Sequence, residues 1–314
     1  MRRGSVSGTW VESLLLGLLS CHGTTFKAEI DGDFIRTTRE NSMLSSVTIS
    51  LVPEARGGPF VFWDDVAAGC SEAKKLGFDA VEIFAPGPEE LKKANALKIV
   101  QDHGLKLAAL GTGGGWVRHQ WTLTSGESQI RSKALDFVRS MMDAGAPAGA
   151  GAIIGSLQGR HGNGVSPEQA HGFLQEAIAT LAVHARAIGV PLLFEPLNRY
   201  ETNLIRTVEE ALDLVKKSNA DGWVKLLCDL FHMNIEEIEI EAALRRAGPA
   251  VGHVHLADSN RRPAGYGHTN FGSIARALKE IGYKGFVSAE ALPWPDSTQA
   301  ARQTIACFRA HFQQ

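Results

Sequence analysis

Cysteine is scarce in this 314-residue chain, and its four copies stand far apart, at Cys21, Cys70, Cys228 and Cys307. None of the intervals between them has the short paired spacing of a zinc site or a small disulfide framework. Scattered cysteines of this kind are typical of free thiols in a reducing compartment, so we expect a cytoplasmic protein.

An excess of positive charge is also missing, since 32 Lys and Arg residues face 34 Asp and Glu residues and the net charge is −2. Because binding to DNA or RNA requires a basic surface, this balance argues against a nucleic-acid partner. The apolar run at residues 14–19 is far shorter than the roughly 20 residues that a membrane-spanning helix needs, so we expect no membrane partner.

The first 42 residues differ in character from the rest of the chain. Arg2 and Arg3 precede the apolar run, as in a signal peptide, but Glu12 stands at its start and the run is short even for a signal. We therefore assign residues 1–42 to a disordered N-terminal extension, with a signal-like segment as the alternative. Residues 43–314 are assigned to one catalytic domain.

From Met43 onward, short apolar runs alternate with longer helical patterns. The predicted strands are Val47–Val52, Ala80–Phe84, Lys106–Leu110, Gly151–Gly155, Pro191–Leu197, Val224–Asp229, Gly252–Ala257 and Gly285–Glu290. The predicted helices lie near 62–76, 88–103, 127–144, 167–188, 207–218, 236–247, 272–281 and 298–312. Glycines such as Gly77 and Gly189 stand where a helix ends and the next strand begins, as suits the left-handed conformation there.

Alternating strands and helices of this kind predict an α/β fold with a parallel sheet. Eight such units predict a closed (β/α)8 TIM barrel in a single domain, since that fold typically takes about 250 residues. An open doubly wound sheet is the alternative, but no glycine fingerprint follows the first strand.

Acidic and histidine side chains stand at the ends of four consecutive predicted strands, where barrel enzymes place their chemistry. These are Glu195, Asp229, His253 or His255, and Glu290. Three carboxylates meeting in a dry barrel mouth would repel one another unless their pKa values rise or a cation neutralises them. Three oxygen ligands and one imidazole suit Mn²⁺, Co²⁺ or Mg²⁺, and Zn²⁺ less distinctively.

Each of these residues taken alone has a plainer interpretation. A single Glu at a strand end is more often an ion-pair partner than a ligand, and a single His in a strand is more often a buried core residue. His253 and His255 point to the same face of their strand, so spacing alone does not choose between them. The occurrence on four successive strands favours the metal site.

Other polar residues near these strand ends are candidates for contacts with a substrate. His232 is a candidate general acid or a residue that supports a ligand, and Asp258 is a candidate for orienting His255. Arg261 is suited to hold a carbonyl or enediolate oxygen, although a solvated loop arginine is an equally good interpretation of that residue alone.

Four segments around these residues resemble one family. They are "EPLNRYETN", "CDLFHMNIEE", "HVHLADSNRRPAGYGHTNF" and "SAEAL", and they occur in the order that the family has. The family is the xylose-isomerase-like TIM-barrel sugar isomerase/epimerase superfamily, and the likeness is greatest to ketose 3-epimerases of the D-tagatose 3-epimerase type. The resemblance covers residues 43–314.

The resemblance implies roles for particular residues. The implied metal ligands are Glu195, Asp229, His255 and Glu290. His232 and Arg261 would contact the substrate carbonyl oxygen, and Glu201 would contact a terminal hydroxyl. The family usually uses one Mn²⁺, with Mg²⁺, Co²⁺ or Zn²⁺ as substitutes, and commonly forms homodimers or homotetramers. The match selects His255 over His253, because Arg261 follows the matched histidine by six residues.

The implied reaction is ketose 3-epimerisation, in which Glu195 and Glu290 exchange a proton with opposite faces of an enediolate. The alternatives within the superfamily are a hydroxypyruvate isomerase, a ketoinositol isomerase and a 3-keto-glycoside lyase. The substrate stays open because the glycine-rich loop 111–116, with Trp116 as a substrate contact, departs from the pattern of the epimerases.

Endonuclease IV-type DNA repair enzymes share this barrel and are the rival from another class. They bind a cluster of metal ions through additional histidines on earlier strands. The second, third and fourth predicted strands here end without histidine, so the sequence argues against the nuclease.

Overall fold

The computed structural model describes residues 42–313. The extension predicted over residues 1–42 therefore lies outside the described residues, apart from Ser42. Three of the four cysteines are within the described part, and all three, Cys70, Cys228 and Cys307, are buried free thiols.

Parallel strands form a closed barrel, which confirms the predicted fold class. The strands are β1 (Leu44–Ser50), β2 (Phe62–Trp63), β3 (Ala80–Phe84), β4 (Lys106–Gly111), β5 (Gly151–Ile154), β6 (Leu192–Phe194), β7 (Val224–Asp229), β8 (Val251–His255) and β9 (Phe286–Ala289). Apart from the short β2, which pairs with β1 outside the ring, each strand pairs with its neighbours in chain order. The ring closes between β1 and β9, where Leu44 lies opposite Phe286 and Val47 opposite Ala289.

Helices cover the outside of the barrel. Within the described residues they are α1 (Val66–Leu76), α2 (Pro88–Lys93), α3 (Ala96–Asp102), α4 (Gly114–His119), α5 (Ser128–Gly145), α6 (Pro167–Ile188), α7 (Val208–Lys217), α8 (Leu230–Glu236), α9 (Ile240–Ala247), α10 (Phe271–Glu280) and α11 (Ser297–His311). None of these helices has both the length and the apolar character needed to cross a membrane.

Three helical segments differ from the sequence-based expectation, each for a local reason. The helix expected near 88–103 is two helices, because Asn95 adopts a left-handed φ of 52° that an α-helix does not continue through. The glycine-rich stretch expected to be a loop contains α4. A further helix, α8, begins directly after β7, where the Asp229 side chain accepts the backbone N–H groups of Phe231 and His232 as an N-cap.

Strand β6 is shorter than expected, and its early end determines where the Glu195 side chain lies. The backbone N–H of Glu195 still donates to the Ile154 carbonyl at 2.9 Å, as a continuing strand would. Pro196 follows and has no N–H to extend the ladder. The chain therefore leaves the sheet directly after Glu195, whose side chain stays at the barrel mouth.

A small apolar layer lies inside the barrel beneath the strand ends. It consists of Ala109, Ile153, Leu193 and Leu227, one residue from each of β4 to β7. Because side chains alternate along a strand, Leu193 shares a face with Glu195, and Leu227 shares a face with Asp229. The acidic strand ends thus stand on a layer that excludes water.

Candidate metal centre and catalytic cleft

Four side chains predicted as metal ligands converge at the carboxyl ends of consecutive strands. Glu195 follows β6, Asp229 ends β7, His255 ends β8 and Glu290 follows β9. Each residue offers one potential ligand atom, and these four atoms all lie within 4.8 Å of one another. The first three residues are buried and Glu290 is nearly so, with 13% of its side chain exposed.

The imidazole of His255 lies at the centre of this group. Its Nδ1 atom is 3.2 Å from Glu290 Oε2, 3.4 Å from Asp229 Oδ2 and 3.5 Å from Glu195 Oε1. This nitrogen is buried and has no hydrogen-bond partner. A buried nitrogen without a partner that faces three carboxylate oxygens fits a divalent cation, which would bind all four atoms.

Burial and charge act in opposite directions on the carboxyl groups. Burial is the largest cause that raises the pKa of Glu195 to about 8; the charges of Glu290 and Asp229 act in the same direction, and His255 acts against them. Burial would also raise the pKa of Asp229, but the charges of Arg261 and the neighbouring histidines hold it well below its usual range. The site therefore needs positive charge close to its oxygens in order to keep every carboxylate ionised.

Arg261 lies at the same place, as predicted for a substrate contact. Its guanidinium donates to Asp229 Oδ2 at 2.6 Å, pairs closely with Glu290 and packs over the Phe231 ring at 4.8 Å from the centroid. The residue has a left-handed φ of 61°, unusual for a side chain of this size. The backbone carbonyl of Arg261 accepts from the backbone N–H of Leu292, and its backbone N–H donates to the backbone carbonyl of Asp258. These two hydrogen bonds hold that conformation.

His232 lies in the first turn of α8. Its Nε2 atom is 3.8 Å from Glu195 Oε1 and 4.0 Å from Asp229 Oδ2. Burial lowers the pKa of His232 to about 4, so the ring is neutral at physiological pH. Glu201 is 3.9 Å from Nδ1 of the same ring, and half of its side chain is exposed toward the cleft.

A cleft of about 820 Å³ opens above these residues. Its lining includes Glu201, His232, Arg261 and Glu290. It also includes aromatic side chains, among them Trp116 from α4 and Phe60, whose ring stacks on Phe84 at 4.4 Å. The four residues predicted to contact the substrate therefore line one cavity, together with Glu290, which is a predicted metal ligand.

Glu82 is a site residue that was not predicted from the sequence. It projects from β3 and is 3% exposed. One carboxylate oxygen is 2.8 Å from His253 Nε2, and both oxygens are 3.1 and 3.2 Å from His255 Nε2. With Nε2 bound to Glu82, the ring of His255 turns Nδ1 toward the other three carboxylates. The available signal was a charged residue inside the apolar strand "AVEIF".

Asp258 does not orient His255, contrary to expectation. Its carboxylate accepts the backbone N–H groups of Ser259, Gly265 and Thr269, so it organises the loop that follows β8. Glu82 holds the histidine instead, because the parallel sheet brings β3 across the barrel interior from β8.

Comparison with known proteins gives a consistent family. A D-psicose 3-epimerase of Agrobacterium fabrum is 31% identical over 75% of this chain and 79% of its own length. A 3-dehydro-D-guloside 4-epimerase of Escherichia coli is 28% identical over 75% of this chain and 91% of its own. The crystal structure of a D-psicose 3-epimerase from Clostridium cellulolyticum shares the fold, with a TM-score of 0.71, 24% identity, and coverage of 86% of this chain and 99% of the other.

A family model described as the xylose isomerase-like TIM barrel matches residues 70–311, which span all but the first of the strands that close the ring. Since the curated relatives are epimerases and isomerases, the protein is an enzyme of the isomerase class. The chain belongs to the xylose isomerase-like TIM barrel family.

Proposed function

We propose that the protein is a divalent-metal-dependent ketose 3-epimerase that inverts its substrate by proton transfer between Glu195 and Glu290. The observation that carries the proposal is the group of three carboxylates around the unpartnered Nδ1 of His255. The names of the epimerases to which the chain is similar support the same reaction class. We expect a homodimer or homotetramer, as the family resemblance implies.

The proposed metal ligands are Glu195, Asp229, His255 and Glu290. Three carboxylates and an imidazole favour Mn²⁺, with Mg²⁺, Co²⁺ and Zn²⁺ as substitutes. A bound divalent cation would polarise the substrate carbonyl and make the proton on the adjacent carbon more acidic.

The protein's own side chains provide the proton transfers. Glu195 and Glu290 come from strands that are separated by β7 and β8, so they approach a bound ketose from different sides. One removes a proton to give the enediolate, and the other returns a proton to the opposite face, which inverts the centre. His232 and Arg261 hold the carbonyl oxygen as charge develops on it, Glu201 binds a terminal hydroxyl, and Trp116 packs against the sugar.

The size of the cleft favours a second candidate, an enzyme that acts on a 3-keto-glycoside. Pockets for drug-sized ligands usually enclose about 300–1,000 Å³, and the cleft here lies near the upper end with about 820 Å³. A single ketose would fill only part of this volume. Trp116 and Phe60 are among the lining residues and give a second ring an aromatic surface to pack on. Hydroxypyruvate, which is smaller than a ketose, fits this cleft less well.

We predict that the purified protein binds one divalent ion per chain. The dissociable metal should be removed with a chelator, Mn²⁺ added back, and the bound metal counted by elemental mass spectrometry. The variant Asp229→Asn should bind less than the natural protein, and the matched surface variant Asp213→Asn should bind the same amount. Three ions per chain would contradict the epimerase proposal and favour the endonuclease interpretation.

Replacing Glu82 with Gln should weaken Mn²⁺ binding about 10- to 100-fold, because an amide oxygen does not hold both histidine N–H groups as a carboxylate does. Isothermal titration calorimetry measures the change. Glu72, which is on the outer helix α1 and pairs with Lys75, provides the control variant Glu72→Gln. An unchanged Mn²⁺ affinity in Glu82→Gln would show that the hydrogen bond to His255 does not matter for the metal.

Replacing Glu290 with Gln should abolish the conversion of D-psicose into its C3 epimer, because inversion needs a proton-transfer group on each face of the enediolate and one of the two is lost. NMR with saturating Mn²⁺ measures the conversion, after the metal content of the variant has been checked. The exposed Glu280, which pairs with Arg245, provides the control Glu280→Gln. Retained epimerisation in metal-loaded Glu290→Gln would eliminate the two-glutamate scheme.

A panel of substrates separates the two candidate functions. We expect turnover of free ketoses such as D-psicose if the primary proposal holds. A kcat/KM at least about tenfold higher for a 3-keto-disaccharide than for D-psicose would favour the second candidate. Replacing Trp116 with Ala should then lower kcat/KM for the disaccharide by about 10-fold or more, which corresponds to the 1–3 kcal/mol that aromatic packing and burial contribute.

A further inference from the structure

Asn198 lies in the loop that follows β6, three residues after Glu195, and is 2% exposed. Its side chain contacts three groups. The amide nitrogen Nδ2 is 2.7 Å from His232 Nδ1 and 3.1 Å from Glu201 Oε1, and the amide oxygen Oδ1 is 2.9 Å from the backbone nitrogen of Tyr200. Asn198 therefore contacts both His232 and Glu201, the side chains proposed to bind the carbonyl oxygen and a terminal hydroxyl of the substrate.

The partners of Asn198 determine which way its amide points. The backbone N–H of Tyr200 can only donate a hydrogen bond, so the atom that faces it must be the amide oxygen. The carboxylate of Glu201 can only accept, so the atom that faces it must be the amide nitrogen. Both contacts require the same orientation of the amide group. The positions of its oxygen and nitrogen therefore follow from the hydrogen-bond partners alone.

The amide orientation in turn determines the protonation of His232. Nδ2 of Asn198 only donates, so Nδ1 of His232 must accept and carries no proton. The backbone N–H of Asn198 points at the same ring nitrogen, at 3.4 Å. A neutral imidazole has one proton, so it must be on Nε2. Nε2 is the nitrogen that faces Glu195 and Asp229.

We propose that Asn198 is a positioning residue that holds His232 in the neutral tautomer with its proton on Nε2. The inference rests on the proposed function, because it assumes that His232 contacts the substrate carbonyl oxygen. In this tautomer His232 donates a hydrogen bond to that oxygen and has no free lone pair toward it. His232 stabilises developing negative charge and does not act as the base, which leaves the proton transfers to the glutamates.

The tautomer can be observed without any substrate. Two-bond ¹H–¹⁵N correlation spectra of the Mg²⁺-loaded, ¹⁵N-histidine-labelled protein distinguish a protonated ring nitrogen from a bare one. The chain has 11 histidines, so the His232 signals are identified by their loss in His232→Gln. We expect a protonated Nε2 and a bare Nδ1. A His232 ring with its proton on Nδ1 overturns the proposal even if the protein is an epimerase.

Asn198→Asp tests the consequence for catalysis. An aspartate accepts where the amide donated, so the ring proton should move to Nδ1 and Nε2 should lose its donor role. We expect kcat for D-psicose with Mn²⁺ to fall about 100-fold, the usual cost of one lost donor at a developing oxyanion, with a much smaller change in KM. Asn270→Asp is the matched control, because its carboxylate can still cap α10 at Ser273, and its kcat should stay unchanged.

A double-mutant comparison separates positioning from a general disturbance of the loop. In the His232→Gln background there is no tautomer to hold, so adding Asn198→Asp should change kcat by no more than about twofold. A 100-fold loss in that background would show that Asn198 acts through Glu201 or the loop, and would overturn the proposal. If no variant and no substrate gives turnover, the spectra still decide the tautomer, so failure of the proposed function is distinguishable.

Discussion

The buried hydrogen bonds of Glu82 are the interaction on which the rest of the site depends. A carboxylate in the interior of a barrel is costly unless its oxygens are bound, and Glu82 is bound by two histidine rings from β8. Although burial alone would raise the pKa of Glu82, the two histidines hold it well below the usual range, so the carboxylate stays ionised. Because its Nε2 is engaged by Glu82, His255 can present only Nδ1 to the barrel mouth.

Asp229 shows how the surrounding fold then places the other groups. One of its carboxylate oxygens caps α8, and the other faces His255 and Arg261. The same cap starts the helix that carries His232, so a single side chain determines where two functional groups lie. Carboxylates at the ends of β6 and β9 complete the arrangement, and the apolar layer below them keeps water out of the barrel interior.

The sequence was sufficient for the barrel and for the strand ends, because both depend on local patterns. Apolar runs between glycines place the strands, and the acidic residues that end them are visible without any structure. The single helix expected at 88–103 was wrong because nothing in the local pattern shows that Asn95 is left-handed. The four expected ligands lie together in the structure, and their roles as ligands stay a prediction.

Glu82 and Asn198 were missed for a different reason. The partners of Glu82 are 171 and 173 residues away along the chain, and His232 is 34 residues from Asn198. Glu82 meets its partners across the barrel interior, and Asn198 meets His232 where the chain leaves two neighbouring strands; neither contact leaves a periodic pattern in the sequence. A buried charge within a strand and an asparagine directly after one were the visible signs, and neither identifies its partner.

In the proposed mechanism, two histidines with the same tautomer serve opposite purposes at this site. With a cation bound, His255 would direct Nε2–H away from the centre to Glu82 and its Nδ1 lone pair toward the cation among the carboxylates. In the arrangement proposed for His232, Asn198 takes up the Nδ1 lone pair and Nε2–H points toward the centre. One ring thus offers an electron pair where a cation would bind, and the other offers a proton where a substrate oxygen would gain negative charge. Since neither ring has a free basic nitrogen left for the substrate carbon, the two glutamates are the groups suited to remove and return its proton.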